Sequence, residues 1–513
     1  MKEYDVLDTV RETLLELDYE EKVERAKVRV DYNFYKGATE DKLKAEYDKT
    51  LLGQSWKNID NIDYEPTQDI RNKVKPLLKK QARWLFGKEP TIVFNAFDKK
   101  DKLECEELRK FIDKILSENR FWSNTKKAFL MSTIKKRVLL RAAANPKRRQ
   151  IKFRYDEIEN FSYKEIDDTL LEVKLLEQDL KNYDKEDNEK IYYLHIYNYI
   201  KNDSDKFEKA SYTLKTYKGS DLLNPIKENT QEIGFSYNLI PVWLIKNGGE
   251  LNSRFGESDL HDLKEPQNQY NRIISDFCDG LKFQMFGSTT IVDGDEEDVN
   301  KLTIAPNSLQ AIKTDKTALT QGKQATLTRQ EYSISSSNAI DTYLKRCEED
   351  MEFIMDMPSL RDLTSIPSGK AMRYLYNDLV ARCEEKWADW TPVFIDVIRY
   401  TIAIADECKL EGFNPKWKDL RFSISLKHNY PIPQDEQETK SLAMSEVSNN
   451  VKSRVDYIRE FGVEEDAEET FQNILKEMLV LNQVELGEYQ LSNKKENTQI
   501  EIEEETEEEL NDE

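Results

Sequence analysis

Residues 239–286, LIPVWLIKNGGELNSRFGESDLHDLKEPQNQYNRIISDFCDGLKFQMF, contain the change of pattern that decides the fold. The apolar run at 239–246 has the length of a short strand, and the NGGE sequence at 247–250 predicts a turn. From 257 to 286, apolar residues recur every three or four positions, which predicts an amphipathic helix of about eight turns. Pro266 lies inside this pattern and indicates either a kink or a later helix start. The stretch therefore predicts a strand, a tight turn and a long helix in succession.

Downstream of this stretch, the sequence alternates between long helices and short β-rich pieces. In order, the patterns predict a β-rich module at 287–337, a helix at 338–357, a loop at 358–368, a long helix at 369–411 and a strand at 421–427. Pro392 lies in the middle of the long helix and predicts a kink. Two long helices that flank a small β module are unusual in a compact enzyme, whereas in a ring each helix pair forms one stave. The pattern therefore favours a ring subunit.

The remaining segments mix helices and strands. Helical spacing occurs at 5–30, 68–86, 103–116, 434–460 and 464–486. Residues 150–220 instead hold β-rich pieces such as IKFRY, IYYLHIYNYI and SYTLKTY, and NPKRRQ at 145–150 predicts a hairpin connection. The chain has only 16 Gly and 14 Pro, so residues that break helices are scarce. We therefore expect an α+β fold that is mainly helical.

The chain is strongly acidic. Its 513 residues include 77 Lys and Arg against 99 Asp and Glu, which gives a formal net charge of −22. Such a charge argues against tight capture of nucleic acid or of an anionic membrane, because both need a basic surface. No apolar run approaches the roughly 18 residues of a membrane span. The five cysteines are scattered without metal-ligand spacing, which is typical of free thiols in a reducing compartment.

Charge is distributed unevenly along the chain. Residues 119–155 contain twelve Lys or Arg and no Asp or Glu, whereas the last 23 residues contain ten acids and two bases. The acidic tail, 491–513, is too charged to pack and is expected to be disordered. Three interpretations of the basic block stay open: a solvated face with salt bridges, a subunit or partner interface, and direct contact with phosphates. The candidate interface patch comprises Lys135, Lys136, Arg137, Arg141, Lys147, Arg148 and Arg149.

The sequence contains no convincing catalytic constellation. Ser258, Asp259 and His261 are close in sequence, but neighbours on a helix point in different directions, so Ser258 or Asp259 is better interpreted as a helix N-cap. The SGKA segment at 368–371 ends in Ala371, where a phosphate-binding loop needs Ser or Thr. We therefore expect no enzymatic activity, no catalytic residue, no cofactor and no metal.

The order of three segments resembles that of portal proteins of tailed bacteriophages, especially siphophage types. LIPVWLIKNGGE followed by FGESDLHDLKEPQNQYNRIISD is similar to the family's Pro-bearing strand, Gly turn and G-x-S-D lead into a helix. PSGKAMRYLYNDLVARCEEKW, residues 367–387, is similar to the start of the family's long helix. RFSISLKHNYPIPQDEQE, residues 421–438, resembles the strand and Pro-x-Asp/Glu segment that close its central body. The resemblance is best from 237 to 438 and loose over the first 230 residues.

The resemblance implies a portal fold with a wing, stem, clip and crown, and with a long kinked helix that lines a ring channel. The implied parts are a wing at 1–255 and 412–430, stem helices at 256–286 and 338–357, a clip at 287–337, a tunnel loop at 358–368, the kinked helix at 369–411 and a crown at 431–490. The loop residues expected to line the channel are Pro358, Ser359, Leu360, Arg361, Asp362, Leu363, Thr364, Ser365 and Ile366.

The function implied by the resemblance is that of a structural, non-enzymatic ring at one capsid vertex of the virion. Such a ring of twelve subunits assembles in the host bacterial cytoplasm and serves as the conduit for terminase-driven DNA packaging, genome retention and ejection into the tail. The implied partners are terminase, a head-completion or adaptor protein, the major capsid or scaffolding protein, and double-stranded DNA, with no membrane. Two alternatives stay open: an acidic helical scaffold or adaptor acting only through protein contacts, and a nucleic-acid-processing enzyme with a diverged site.

Overall fold

The computed structural model describes residues 3–37, 67, 69–166, 169–182, 184–201, 207–233, 240–250, 253–286, 288–299, 312–330, 337–358, 374–431, 436–462, 467–479 and 481. The chain divides into two compact units. The first comprises Met1–Ile366 and Tyr374–Pro431, and the second comprises Pro367–Arg373 and Ile432–Glu513. The predictions for the tunnel loop at 359–366 and for the acidic tail at 491–513 lie outside the described residues.

The first unit contains most of the helices. They are α1 (Glu3–Leu14), α2 (Tyr19–Lys36), α3 (Val74–Phe86), α4 (Lys102–Glu118), α5 (Phe121–Lys135), α6 (Lys264–Phe286), α7 (Ser337–Ile354) and α8 (Asn377–Ala405), with short helices at Glu296–Val299 and Lys316–Thr320. The helical spacing at 5–30 is confirmed in α1 and α2, which are separate helices because the Asp18 side chain accepts a hydrogen bond from the Glu21 backbone N–H and starts the second one. Helix α2 ends at Gly37, which has a left-handed φ of 74°.

The strands of this unit form antiparallel sheets throughout the described residues. They are β1 (Thr91–Ala96), β2 (Arg137–Asn145), β3 (Gln150–Glu157), β4 (Phe161–Ile166), β5 (Thr169–Gln178), β6 (Ile191–Lys201), β7 (Phe207–Lys218), β8 (Lys227–Ile233), β9 (Val242–Lys246), β10 (Ser288–Val292), β11 (Thr326–Gln330) and β12 (Phe422–Lys427). The strand orders are β1-β12, β10-β11, β3-β2-β9 and β4-β5-β6-β7-β8. The predicted hairpin at 145–150 is confirmed, since Asn145 pairs with Gln150 at the end of β2-β3.

Helices α1 and α2 cover the five-stranded sheet. Val10 and Leu14 of α1 pack with Leu176 and Leu194 in one buried cluster. Val28 of α2 belongs to a second cluster, which also takes in apolar residues of β2, β5 and β9. The two larger sheets therefore share a core with the N-terminal helices. The prediction that 150–220 is rich in β-strands is confirmed in β3 to β7.

Helix α5 lies in a segment for which the sequence predicts no helix. Phe121, Phe129 and Ile134 are buried, and so are the polar side chains of Thr125 and Ser132. A helix buried on several sides has no polar stripe, so its sequence lacks the amphipathic period that reveals surface helices. Packing against the surrounding core therefore stabilises α5 as a helix, and no periodic pattern in its own sequence predicts it.

Helix α8 passes through the main aromatic core. Its buried Trp387, Trp390 and Phe394 pack with Phe86 of α3, and Trp390 also contacts Phe129 of α5. The long helix predicted at 369–411 is confirmed from Asn377 to Ala405, and it continues through Pro392. It ends earlier than predicted, in turns that bring Lys409 and Gly412 to positive φ values.

Helices α6 and α7 pack together, with the β10-β11 hairpin between them in sequence. Tyr270 and Ile274 of α6 contact Cys347 and Leu344 of α7. Helix α6 begins at Lys264, so the later start indicated by Pro266 is confirmed and the start predicted at 257 is wrong. Proline is tolerated there because a backbone N–H in the first turn has no partner within the helix.

The second unit is helical where the structure describes it. Its helices are α9 (Glu436–Ser448) and α10 (Arg454–Phe461), and residues 467–479 are also helical. The single helix predicted at 434–460 is divided, because the Ser453 side chain accepts a hydrogen bond from the Asp456 N–H and caps α10.

Candidate functional site at the base of helix α8

The first turns of α8 collect contacts from several distant segments. Side chains of this region contact the turn after β9, the segment before α6, the end of α7 and the segment after β12. We call this set the α8 junction. Its central residues are Asn247, Asp259, Arg382, Glu384 and Lys386.

The segment before α6 is fixed by close contact with the end of α5. A Cβ added at Gly256 would lie 2.4 Å from the Lys136 carbonyl oxygen and 2.8 Å from the Asn247 nitrogen, so only glycine fits. The Ser258 hydroxyl donates to the carbonyl oxygens of Ile134 at 3.0 Å and Thr133 at 3.3 Å. Ser258 thus satisfies backbone acceptors at the end of α5 and is not the N-cap of α6.

Asp259 is the buried anion of the junction. Its carboxylate accepts hydrogen bonds from Lys386 Nζ at 2.8 Å and Asn247 Nδ2 at 2.9 Å, and Arg382 lies 3.5 Å from the other oxygen. Burial favours the neutral acid, but the two cations outweigh it and lower the pKa of Asp259 below its usual value. The carboxylate is therefore held in its charged form between two helices.

Arg382 joins both ends of the α6–α7 module. Besides its ion pair with Asp259, its guanidinium donates to the Ile354 carbonyl oxygen and to Asp356 Oδ2, each at 3.2 Å. Ile354 ends α7, and Asp356 adopts a left-handed φ of 53°. One side chain of α8 thus contacts the segment that leads into α6 and the segment that leaves α7.

The segment after β12 completes the junction from another side. The His428 ring stacks on Trp387 at a centroid distance of 4.2 Å, and its Nδ1 lies 2.8 Å from Glu384 Oε2. Tyr430 donates its hydroxyl to Glu384 Oε1 at 2.6 Å, and burial together with this carboxylate raises the pKa of Tyr430. Glu384 therefore ties the chain after β12 to α8.

A second polar feature runs along α6. Its Gln267, Asn271, Ser275 and Asp279 are all buried, and they hydrogen-bond residues 67 and 69–73, which we call the strap. Gln267 accepts from the Lys73 N–H at 2.9 Å, Asn271 from Arg71 at 3.1 Å, Ser275 from Asp69 at 3.0 Å, and Asp279 from Thr67 at 2.9 Å. Strap residues two apart thus pair with α6 residues four apart, about one turn of the helix.

A comparison with protein families identifies the class of protein. The family model for phage portal proteins of the SPP1 Gp6-like type matches residues 14–478, nearly the whole chain. The chain belongs to this family. No curated protein matches it. As a phage portal protein it is a structural component at a capsid vertex, a subunit of an oligomeric ring through which DNA passes during packaging.

The predicted basic patch of this portal protein is divided by the structure. Four of its seven cations lie in ion pairs inside the subunit, and salt bridges are one of the interpretations left open for the basic block. The pairs are Lys135 with Glu157 and Glu159, Lys136 with Glu24, Arg137 with Glu21, and Arg141 with Asp156 and Glu177. Arg137 is fully buried. Lys147, Arg148 and Arg149 are exposed in the β2-β3 turn, and for them an interface stays a prediction.

The predicted tunnel loop is represented in the described residues by Pro358 alone, which is buried after α7. The sequence interpretation missed Arg382 and Lys386, although two cations four residues apart share one face of a helix. Asp259 was singled out only as a possible helix cap. In the part of the chain that the structure describes, no helix is long and apolar enough to cross a membrane, and no cluster of His, Cys, Asp and Glu is arranged to hold a metal.

Proposed function

We propose that this portal protein forms the closed ring that serves as the conduit for terminase-driven DNA packaging, genome retention and ejection into the tail. The observation that carries the proposal is the family match over residues 14–478, which includes both units of the chain. The α8 junction supports it, because Asp259 of the first motif segment and His428 of the third both contact the helix that begins in the second.

The domain assignment is part of the proposal. The wing comprises 1–255 and 412–430, the stem helices 256–286 and 338–357, and the clip 287–337. The tunnel loop is 358–368, the long helix 369–411, and the crown 431–490. The pairing of α6 with α7 supports the stem, and the β10-β11 hairpin between them supports the clip.

The proposed ring has twelve subunits and assembles in the host bacterial cytoplasm. Its proposed partners are terminase, a head-completion or adaptor protein, and the major capsid or scaffolding protein. The net charge of −22 per subunit fits a conduit, because every tight phosphate contact would release counterions and slow a sliding polyanion.

Negative-stain electron microscopy of the purified full chain tests ring formation directly. We expect radial particles with a central hole. Extended rods would instead indicate a scaffold or adaptor, and compact monomers with nuclease or ATPase activity would indicate an enzyme. In infected cells, loss of the protein should leave capsids without DNA, whereas DNA-filled capsids would contradict the packaging role.

A weak contact of the tunnel loop with DNA is a further part of the proposal. Its composition is nearly neutral, with Arg361 beside Asp362 and apolar residues around them. Replacing both with Ala should change the amount of DNA retained per capsid, measured by quantitative PCR of nuclease-treated particles. Unchanged packaging and retention would exclude a specific role for this pair.

A further inference from the structure

The turn of the β2-β3 hairpin and the end of α4 enclose a cleft. The cavity has a volume of about 390 Å³. Its cationic rim comprises Lys114, Arg148, Arg149 and Lys152, and its floor includes Phe111 and Ile115. We call it the hairpin cleft. A cationic rim over an apolar floor is suited to an acidic segment that also carries apolar side chains.

The rim cations differ from Lys135, Lys136, Arg137 and Arg141, which pair with buried or partly buried carboxylates of the same subunit. Within the described residues, Arg148, Arg149 and Lys152 make no ion pair, and the Lys114 Nζ lies 4.0 Å from Glu118 Oε1. The turn itself is ordered by hydrogen bonds, since the Arg148 N–H donates to the Asn145 carbonyl and side-chain oxygens, each at 3.1 Å. The ordered turn therefore presents exposed positive charge, without an ion-pair partner among the described residues, on a subunit of net charge −22.

The lining argues for a peptide rather than for nucleic acid. Glu118 and Glu411 also line the cleft and would repel a phosphate backbone, whereas a peptide can place its carboxylates selectively on the rim. The apolar side chains of Phe111 and Ile115 make no hydrogen bond to a sugar-phosphate chain, but they can pack against Ile or Leu side chains.

The chain itself contains a segment of this chemistry. Its last 23 residues include ten acids and two bases, and Ile500, Ile502 and Leu510 lie among the acids. The last described residue is Leu481, so 32 residues of the sequence follow it and span at most roughly 115 Å when extended. A segment of that length is not restricted to contacts near Leu481.

We propose that the hairpin cleft binds the acidic C-terminal segment, residues 496–513, of a second copy of this chain. The rim cations pair with its glutamates, and the floor takes an Ile or Leu side chain. The contact links neighbouring subunits electrostatically and is weakened by salt. It is independent of the DNA conduit role, because it needs only copies that lie side by side.

Zero-length carbodiimide cross-linking of the full-length assembly tests this contact, because the reagent joins lysine to carboxylate only when the two touch. An equal mixture of unlabelled and ¹⁵N-labelled chains is assembled, cross-linked and analysed by mass spectrometry. We expect Lys147, Lys152 or Lys114 to be joined to glutamates of 496–513, with mixed-isotope pairs present. Excess synthetic peptide of residues 496–513 should suppress these products.

Variants and competitors complete the test. Arg148→Glu with Arg149→Glu should lower the yield about tenfold, because two attractive contacts become repulsive. The matched control, Lys99→Glu with Lys100→Glu, reverses two exposed cations outside the cleft and should leave the yield unchanged. Lysines joined elsewhere, only unmixed pairs, or protection of the lysines by duplex DNA but not by the peptide would each overturn the proposal. Circular dichroism checks that each variant is folded.

Discussion

Asp259 shows at the scale of a single residue how the subunit holds its long helix in place. The side chain is only 6% exposed, yet it carries a charge because Lys386 and Arg382 lie against its two oxygens. Removing one partner of a buried ion pair leaves the other charge without compensation, which costs more than the pair itself contributes. Asp259 therefore matters chiefly because of the two cations that its loss would leave buried.

Replacing Asp259 with Asn should lower the free energy of unfolding by about 3 kcal/mol, because Lys386 and Arg382 keep their charge without their anion. Urea denaturation of the full chain at fixed protein concentration measures the change. Asp396→Asn is the matched control on the same helix, since its ion pair with Arg399 is half-exposed and is worth at most about 0.5 kcal/mol. Equal losses in the two variants would contradict the importance of the buried pair.

The lowered pKa of Asp259 predicts how this contribution depends on pH. A carboxyl whose pKa is lower in the folded chain stabilises the fold above its unfolded pKa of 3.8 and loses that effect as the pH falls through the folded value. The stability gap between the natural chain and Asp259→Asn should be constant from pH 7 to about 5 and should narrow below about 4. Urea midpoints measured across this range check it, and a gap that widens in acid would refute the assignment.

At the scale of elements, polar side chains position helices as firmly as apolar ones do. Helix α6 contacts α7 through Tyr270 and Ile274 on one face, and it contacts the strap through a row of buried polar residues on another. Buried polar groups are costly unless each has a partner, so the row specifies the register of the strap on the helix. A shift by one residue would leave these groups unpaired.

The elements that sequence reasoning predicted are those whose signals are local. Pro266 indicated the late start of α6, and the apolar run at 239–246 predicted β9. Helix α5 was missed because it is buried on several sides and therefore lacks an amphipathic period. The partners of Asp259 could not be assigned, because Arg382 and Asp259 are brought together only by tertiary packing.

A cross-link can test the docking of the strap on α6. The Cys278 sulfur lies 3.7 Å from Asp69 Oδ2, so Asp69→Cys should form a disulfide with the natural cysteine under mild oxidation. Free thiols should fall from six to four per chain, since the other four natural cysteines are buried and the structure shows them unpaired. Arg71→Cys, two residues farther along, is the control and should keep all its thiols. Absence of the disulfide in Asp69→Cys would mean that the strap does not dock as observed.

At the scale of the whole molecule, the charge of the subunit opposes its own assembly. Copies that each carry a net charge of −22 repel one another, so ring closure needs contacts that outweigh this repulsion. In the proposed conduit, the same charge would keep the passing DNA from binding tightly. The negative net charge of the subunit therefore hinders assembly but, in the proposed conduit, favours the passage of DNA.

Assembly should make the thermal stability of the protein depend on its concentration. Contacts between copies stabilise only the folded state, so dilution should lower both the ring fraction and the Tm. Differential scanning fluorimetry and mass photometry over a range from about 10 nM to 10 µM measure the two quantities together. A Tm that stays constant while rings dissociate would show that the subunit is stable without its neighbours.

The row of buried polar residues on α6 constrains the sequence of the helix more than the sequence of the strap. Gln267, Asn271 and Ser275 hydrogen-bond to main-chain atoms of the strap, so these contacts do not depend on which side chains the strap carries. Arg71→Ala should leave the docking of the strap nearly unchanged. Arg71→Pro removes the N–H that donates a hydrogen bond to Asn271 and should release the strap. The side chains of the strap can therefore vary, whereas these three polar residues of α6 cannot be replaced without losing the contacts.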